Sequence, residues 1–335
     1  FSFKKMLNVG KSAMITANAN ILFMLFLGYY TGLLLGWSTT DSFFLGSMIS
    51  MSSTTIIIKA FDDLNIKKQK FTDLVFGVLV IEDLVGILLL VLLPMVALGQ
   101  SINGGELALS TFKLLSFLIL CFVIGIYIVP TVLKKLTSFL NDEMLLLITV
   151  GMCFGMVWLA TASGFSSALG AFLMGSVLSE TGLIVRIENV VRPLKDFFGA
   201  VFFVSVGMMV DPAMFVTYAG PIAVVTLIVV VGKVVFSCFG FVISGQSLRT
   251  STECAFSLAQ VGEFAFIIAA LGMSLGVLDG QVYPVIVAVS VITTFLTPVM
   301  IRSAGPVYRL IERKLPASWS RYINKASAAR APSRS

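Results

Sequence analysis

The sequence predicts an all-α polytopic membrane protein, and three observations predict it. First, of 335 residues 58% are apolar and only 12% are charged, with a mean hydropathy of +1.01. Soluble domains carry about twice that share of charge, so this chain cannot cover a water-facing surface of its own size. Second, the apolar residues fall into about ten long continuous runs, each near the span of about 20 residues that a membrane helix needs. Third, the basic residues segregate along the chain as they do between the two sides of a bilayer.

The ten runs lie at about 14–35, 42–60, 72–95, 108–133, 143–161, 165–180, 195–210, 215–243, 251–276 and 281–302. Helix breakers separate them: Gly99, Asn103-Gly104-Gly105, Asp211-Pro212, Gly245 and Asp279-Gly280. They read as helices and not as barrel strands, because they are uninterrupted and do not alternate polar with apolar over about ten residues. Ten spans leave flanks on two alternating sides. All but two of the 23 basic residues fall on one side, from Lys4, Lys5 and Lys11 to the cluster beginning at Arg302. The other side's loops, near Asp41, 99–106, 163–164, Asp211 and Asp279, hold none. By the positive-inside rule both ends of the chain are expected in the cytoplasm. The exceptions are Lys113, near an outer helix end where it can snorkel, and Lys233, in mid-span where it cannot. After residue 304 the chain mixes Tyr308, Leu310, Ile311, Trp319 and Tyr322 with basic residues, which predicts an interfacial helix on anionic lipid and then a disordered tail.

There is no histidine. That removes Ser-His and Cys-His catalysis, a haem histidine and most zinc sites, and leaves proton handling to carboxylates and lysines. Cys121, Cys153, Cys238 and Cys254 lie in or beside apolar runs without a CxxC pair and read as small core residues.

Glu82 and Asp83 in the third span, Lys233 in the eighth and Glu263 in the ninth lie deep in apolar runs. Each charge costs roughly 2.5–3.5 kcal/mol to insert, so a functional site is the default reading; a buried structural ion pair is the alternative. The natural partner for a mid-span lysine is a mid-span carboxylate. Adjacent residues on a helix point about 100° apart, so Glu82 and Asp83 cannot serve one pocket equally, and one can pair with Lys233 while the other faces a separate cavity. A buried carboxyl favours a bound proton, while a metal cation favours its ionised form, and this competition is what obligate exchange requires.

The second span holds Ser50-Met51-Ser52-Ser53-Thr54-Thr55 at mid-membrane, and the ninth holds Ser257, Gln260, Gly262 and Glu263. Such hydroxyls either bend a helix by bonding the preceding turn or mark a broken helix whose freed oxygens hold a cation. Two interrupted spans in opposite halves point to a transporter site. Each interruption lies in the middle of a triplet of spans, and the two triplets run in opposite directions, which is the pattern of an inverted repeat.

At these residues the chain resembles the monovalent cation:proton antiporters, closest to the Kef-type branch of the CPA2 superfamily. Four stretches carry the resemblance in order: SMSSTTIIIKAFDDL (50–64), GVLVIEDLVGILLL (77–90), FFVSVGMMVDP (202–212) and SLAQVGEF (257–264). The resemblance implies the sodium/proton antiporter fold: a homodimer in which a core moves against a scaffold, with two discontinuous crossing helices. It implies a transmembrane exchanger domain over 1–303, with core helices at about 14–95 and 215–302 and a scaffold at about 108–210, followed by a basic tail over 304–335. It further implies about three helices ahead of the first span, and, in many members, a cytosolic nucleotide-sensing domain beyond it. Residue by residue, Asp83 matches the ion-binding aspartate and Glu82 the position before it. Lys233 matches the core lysine that pairs there in some members. Thr54 and Thr55 fall in the first crossover, and Gln260 and Glu263 in the second; Ser53 joins them as a further ion- or proton-binding candidate. Glutamate at 82 departs from the best-known patterns and leaves stoichiometry open.

The expected function is therefore secondary active antiport of K⁺ or Na⁺ against H⁺ by alternating access in the inner (cytoplasmic) membrane. Asp83 would bind proton or cation, with Thr54 and Thr55 completing the cation's shell, and Glu82 with Lys233 would form a switchable pair. The bilayer and the ions are the expected partners. Neither a cofactor, nor nucleic acid, nor enzymatic chemistry is expected. A ligand- or pH-gated cation channel is the alternative, although no TVGYG-type filter is present. An intramembrane aspartyl protease would need two separated aspartates, and only Asp83 qualifies.

Overall fold

A computed structural model describes residues 3–67, 69–97, 141–163, 167–179, 181–208 and 212–314, with isolated helical positions between 112 and 135. The described residues are helical, with turns and caps between the helices. They divide into two compact units, those within Leu90–Met209 and those within Ser2–Leu89 and Val210–Ser335. Among the described residues, six helical stretches are long and apolar enough to cross a membrane, so the described chain is an all-α polytopic membrane protein.

The discontinuous unit opens with α1 (Phe3–Leu34). Then comes a span in two pieces, α2 (Thr39–Ser50) and α3 (Thr54–Asp63), and next α4 (Lys70–Ala97). In its second part the same order recurs. A short α8 (Pro212–Thr217) leads into α9 (Ala219–Ile243), a second helix in two pieces follows as α10 (Leu248–Ser257) and α11 (Phe264–Ser274), and α12 (Val282–Lys314) closes it. Helix α1 packs on α2 and on α9. Small residues permit the close approach: a Cβ on Gly28 of α1 would lie 2.5 Å from the Cα of Gly46 on α2. Lipid supplies no hydrophobic drive between spans, so such backbone proximity carries much of their association. A buried cluster joins Ala13 and Ala17 of α1, Ile57 and Phe61 of α3, Val75, Val78 and Leu79 of α4, Phe241 of α9 and Cys254 of α10.

Helix starts follow from polar caps. Ser38 accepts from the Asp41 amide (3.0 Å), Ser53 from the Ile56 amide (3.2 Å) and Ser247 from the Thr250 amide (3.2 Å). Helix ends follow from left-handed residues. Gly36 sits at φ +79°, with the Trp37 amide reaching back to the Gly32 carbonyl at 3.0 Å and that of Gly36 to Leu33 at 3.0 Å, a Schellman stop. At the loop ends of the two broken spans, the Asp279 amide donates to Asp41 Oδ1 at 2.9 Å.

The other unit contains α5 (Asp142–Ala162), α6 (Ser167–Ser179) and α7 (Ile184–Met208). Its core gathers Val129, Leu133, Leu145, Met174, Val177, Leu178 and Ile187. Large apolar side chains such as Leu147, Phe154, Trp158 and Phe197 stay exposed along α5 and α7, as a lipid-facing surface requires.

Several sequence-based boundaries shift. The seventh run, expected at 195–210, belongs to a helix that begins at Ile184. Its polar first half is held by ion pairs, Arg186 to Asp142 at 2.8 Å and Arg192 to Glu188 at 3.4 Å, which an apolarity criterion overlooks. The eighth run is interrupted at Tyr218 between α8 and α9. The helix expected beyond 304 is the continuation of the last span, and α12 runs through Pro298 and Pro306 to Lys314 without a break. Cys254 is buried, Cys153 and Cys238 are half-buried, and all three are free thiols. Most of the fourth run, Lys113, Cys121, the breakers at Gly99 and 103–105, and the tail beyond 314 lie outside the described residues.

Candidate functional site

The site forms where the two broken spans meet inside the discontinuous unit. Between α2 and α3 the backbone is extended at Met51 (φ −93°, ψ 137°) and Ser53 (φ −93°, ψ 117°). Between α10 and α11, residues 258–263 leave the helical path. Each break satisfies the other's freed groups, as backbone inside a membrane must. The Gly262 amide donates to the Met51 carbonyl at 2.9 Å, Ser52 Oγ to the Leu258 carbonyl at 3.2 Å, and Gln260 Nε2 to the Ser53 carbonyl at 3.4 Å. The crossing is tight, because a Cβ on Gly262 would lie 2.5 Å from the Ser52 carbonyl oxygen. From the side, the Val261 amide is held by Thr293 Oγ1 of α12 at 3.3 Å.

Two charges are sealed into this crossing. Lys233 of α9 is fully buried; its Nζ donates to Ser52 Oγ at 2.9 Å and to the Gln260 carbonyl at 2.8 Å. It thus sits beside the C-terminal ends of α2 and α10, where the helix dipole favours a cation. Glu82 of α4 is also fully buried, and accepts from the Ser52 amide at 2.8 Å and from Asn20 Nδ2 of α1 at 2.7 Å. The expected direct pairing of Glu82 with Lys233 is absent from the ion pairs of the described residues. Ser52 stands between them, with its amide on the carboxylate and its hydroxyl on the ammonium.

Around the N-terminal turn of α3 lies a second, more open group. The Thr54 hydroxyl donates to Asp83 Oδ2 at a long 3.4 Å, the single hydrogen bond to that carboxyl among the described residues. Ser53 Oγ donates to Glu263 Oε2 at 2.5 Å, and Thr55 Oγ1 to Glu263 Oε1 at 3.1 Å. Asp83, Thr54 and Glu263 are half-exposed and Thr55 is exposed, whereas Ser53 is buried. Gly86, one turn beyond Asp83, lets α4 lie against Phe264 at the start of α11, where a Cβ would come within 3.1 Å of the ring. That contact is what brings Asp83 and Glu263 to the same turn. Two carboxylates and three hydroxyls around the first turn of α3 are hard oxygen donors suited to an alkali cation.

All eight sequence-nominated residues therefore lie at one crossing, in two groups. Details differ from expectation. Thr54 and Thr55 open α3 and do not sit in its break, and Glu263 occupies the N-cap position of α11 and not a helix interior. Sequence reasoning missed Ser52, the hub of the buried group, and Asn20, its anchor on α1. The signal for Asn20 was an amide inside an apolar span, shared by Asn18 two positions earlier, which is exposed and bonds its own helix at Met14. Ser52 lay inside the quoted motif but had no charge to single it out.

Among the described residues, helical architecture, two crossed broken helices and charges buried at their crossing define a polytopic membrane protein with a polar, charged centre. The chain belongs to the sodium/hydrogen exchanger family: the pattern of its transmembrane region matches residues 1–304. This bears out the resemblance seen in the four motifs. The chain is 32% identical to YbaL of Escherichia coli over 311 residues, which are 90% of this chain and 55% of YbaL. It is 28% identical to the K(+)/H(+) antiporter subunit KhtU of Bacillus subtilis over 313 residues, 93% of this chain and 77% of KhtU. It is 26% identical to a Na(+)/H(+) antiporter of Enterococcus hirae over 293 residues, 87% of this chain and 76% of that protein. The chain spans about half the length of several curated relatives it matches, YbaL among them.

Proposed function

We propose that the protein exchanges K⁺ or Na⁺ for H⁺ across a membrane by alternating access, as the names of its relatives KhtU and the Enterococcus hirae antiporter suggest. Asp83 is the carrier. Ionised, it holds the cation together with oxygens of Thr54, Thr55 and Glu263; protonated, it releases it. The observation that carries this reading is the contrast between the adjacent acids. Glu82 is sealed, with two N–H donors on its carboxylate, while Asp83 is half-exposed with one long hydrogen bond. A carboxyl with open coordination beside hydroxyls can exchange ligands, and one gripped by N–H groups cannot do so readily. Glu82, Ser52 and Lys233 form the fixed electrostatic core of the crossing, with Gln260 positioning the lysine through its carbonyl. Gated channel activity draws no support from these relatives.

Further features of the reading are ours as well. The recurring order of long helix, broken helix, long helix is read as an inverted repeat within a ten-helix exchanger domain over 1–303. The discontinuous unit is the moving core, and the unit within Leu90–Met209 belongs to the scaffold of a homodimer. Both ends of the described chain are cytoplasmic in an inner membrane. The Asp41–Asp279 bond supports the span order behind this reading, because it joins two segments that the charge distribution assigns to one side.

The test is Asp83→Asn in everted vesicles with a ΔpH dye. Loss of K⁺- and Na⁺-driven dissipation of ΔpH is expected, with normal membrane abundance. Undiminished dissipation refutes the assignment.

A further inference from the structure

On the side of the chain that gathers the basic residues, the discontinuous unit holds a cavity of about 530 Å³. The turn between α3 and α4, the first turns of α10 and the end of α12 enclose it. Phe71 and Ile301 in its lining are buried, Glu253 is half-buried, and Asp63, Arg249 and Arg302 are exposed. It therefore has an apolar floor under a charged rim. Its size falls in the range of ligand pockets, about 300–1,000 Å³. None of these side chains belongs to the crossing of the broken helices.

The four charges of the rim balance, two acids against two arginines. Arg249 Nε pairs with Glu253 Oε1 at 3.0 Å, and Lys59 Nζ with Asp63 Oδ1 at 3.1 Å. Each acid is thus engaged through one oxygen, which leaves the second for a ligand. Arg302 enters none of the ion pairs among the described residues. Guanidinium groups suit a phosphate, and carboxylate oxygens suit an ammonium. A ligand with both charges fits this rim better than a plain anion, which would face two carboxylates, or a plain cation, which would face two guanidinium groups.

Helix α12 indicates where such a ligand comes from. Val291, Phe295 and Val299 are exposed, and so is Arg302. At spacings of i, i+4, i+8 and i+11 they share one face of the helix. At about 1.5 Å per residue this face runs about 16 Å from Val291 to Arg302, which is near half of the hydrocarbon thickness of about 30 Å. An apolar stripe one leaflet deep, ending on a phosphate-binding side chain at the lip of a cavity, matches the profile of a phospholipid.

We propose that this cavity is a binding site for the headgroup of a phospholipid that joins a phosphodiester to a primary ammonium, as phosphatidylethanolamine does. Arg302, with the free N–H groups of Arg249, takes the phosphodiester. Glu253 and Asp63 accept from the ammonium, and an acyl chain lies along Val299, Phe295 and Val291. A choline headgroup has no N–H to donate, and a glycerol headgroup brings no positive charge for the acids. Bound there, the headgroup links the end of α3 to the start of α10, the same-side ends of the two broken helices. The site goes beyond the exchange reading and does not depend on it.

The test titrates the full protein in mild detergent with five lipids of identical acyl chains, and native mass spectrometry counts the bound lipid. The lipids are phosphatidylethanolamine, its N-methyl and N,N-dimethyl forms, phosphatidylcholine and phosphatidylglycerol. Phosphatidylethanolamine is expected to bind about tenfold tighter than phosphatidylcholine, with a stepwise fall as each N–H is replaced. Arg302→Gln is expected to weaken both lipids alike, through the lost phosphate contact, and Asp63→Asn/Glu253→Gln to erase the preference between them. Equal binding of all five lipids overturns the proposal, and so does tightest binding of phosphatidylglycerol, which marks a plain anion site. A preference that survives the Asp63→Asn/Glu253→Gln variant places the lipid elsewhere and overturns it too. Free phosphoethanolamine is added as a competitor; displacement at the concentration at which the intact lipid competes identifies a soluble ligand and overturns the lipid assignment. The N-methyl series on the unaltered protein decides the matter even if a variant fails to fold.

Discussion

Lys233 and Glu82 are opposite charges buried in one crossing, yet each binds Ser52 in place of the other, the ammonium on its hydroxyl at 2.9 Å and the carboxylate on its amide at 2.8 Å. A direct pair would neutralise the two charges and leave the broken backbone to fend for itself. Routing both through Ser52 lets them satisfy the break while they compensate each other.

Removing one charge should therefore cost more than removing both. Lys233→Met leaves Glu82 uncompensated in a dry site, and a loss of about 3–5 kcal/mol is expected. Lys233→Met/Glu82→Gln should recover part of it. Thermal unfolding in detergent reads this; a double variant less stable than Lys233→Met alone contradicts it.

Asn20 ties α1 to the buried charges through its bond to Glu82. Asn20→Ala removes a hydrogen bond to a carboxylate, with an expected cost of about 1.5–3 kcal/mol. Asn20→Asp should be worse, since it sets a second acid beside Glu82. Melting temperatures of the two variants rank them.

Gly262→Ala should disrupt the crossing itself. Its Cβ would meet the Ser52 carbonyl oxygen at 2.5 Å and carbon at 2.7 Å, backbone atoms that cannot turn aside. Overpacking of this kind costs about 1–3 kcal/mol, and transport is expected to fall with it. Gly305→Ala on α12, where a Cβ meets nothing within 4 Å, is the control. Equal behaviour of the two variants would count against the tight crossing.

Glu263 should act on cation affinity more than on folding. It accepts from Ser53 and Thr55 at the first turn of α3 and is itself half-exposed. Glu263→Gln keeps the acceptor oxygen and removes the charge, so the half-saturating cation concentration should rise about tenfold, a loss of about 1.4 kcal/mol in binding. Titration of transport against K⁺ and Na⁺ measures it, and unchanged affinity for both excludes Glu263 from the cation's shell.

Competition at Asp83 fixes a sign for pH. Where the carboxyl is mostly protonated, each bound cation must displace one proton. Apparent cation affinity should then weaken as pH falls, by up to about tenfold per pH unit. Half-saturation measured across a pH series tests this, and a constant value on the acid limb is incompatible with a shared carboxyl.

Much of this architecture was legible in the linear chain, for reasons that differ from residue to residue. Spans announce themselves because burying about 20 residues in hydrocarbon demands local apolarity. Glu82, Asp83 and Lys233 stood out because a charge in such a run is costly wherever it points. The start of α7 was not legible, because Arg186 is held by Asp142, which lies 44 positions away. Nor was the continuation of α12 beyond 302 through Pro306, since a proline usually reads as a stop.

The amino-acid order was thus sufficient for the membrane class, the interrupted spans and the eight residues of the crossing, all of which depend on local cost. Partner choice depended on the folded arrangement. Only the packed helices decide that Glu82 faces Asn20 and Ser52, that Asp83 faces Thr54, and that Ser52 separates the buried charges. Those contacts join groups from 29 to 181 positions apart. They are set by how each helix is rotated and how closely its glycines let it approach, and neither is encoded in any single segment.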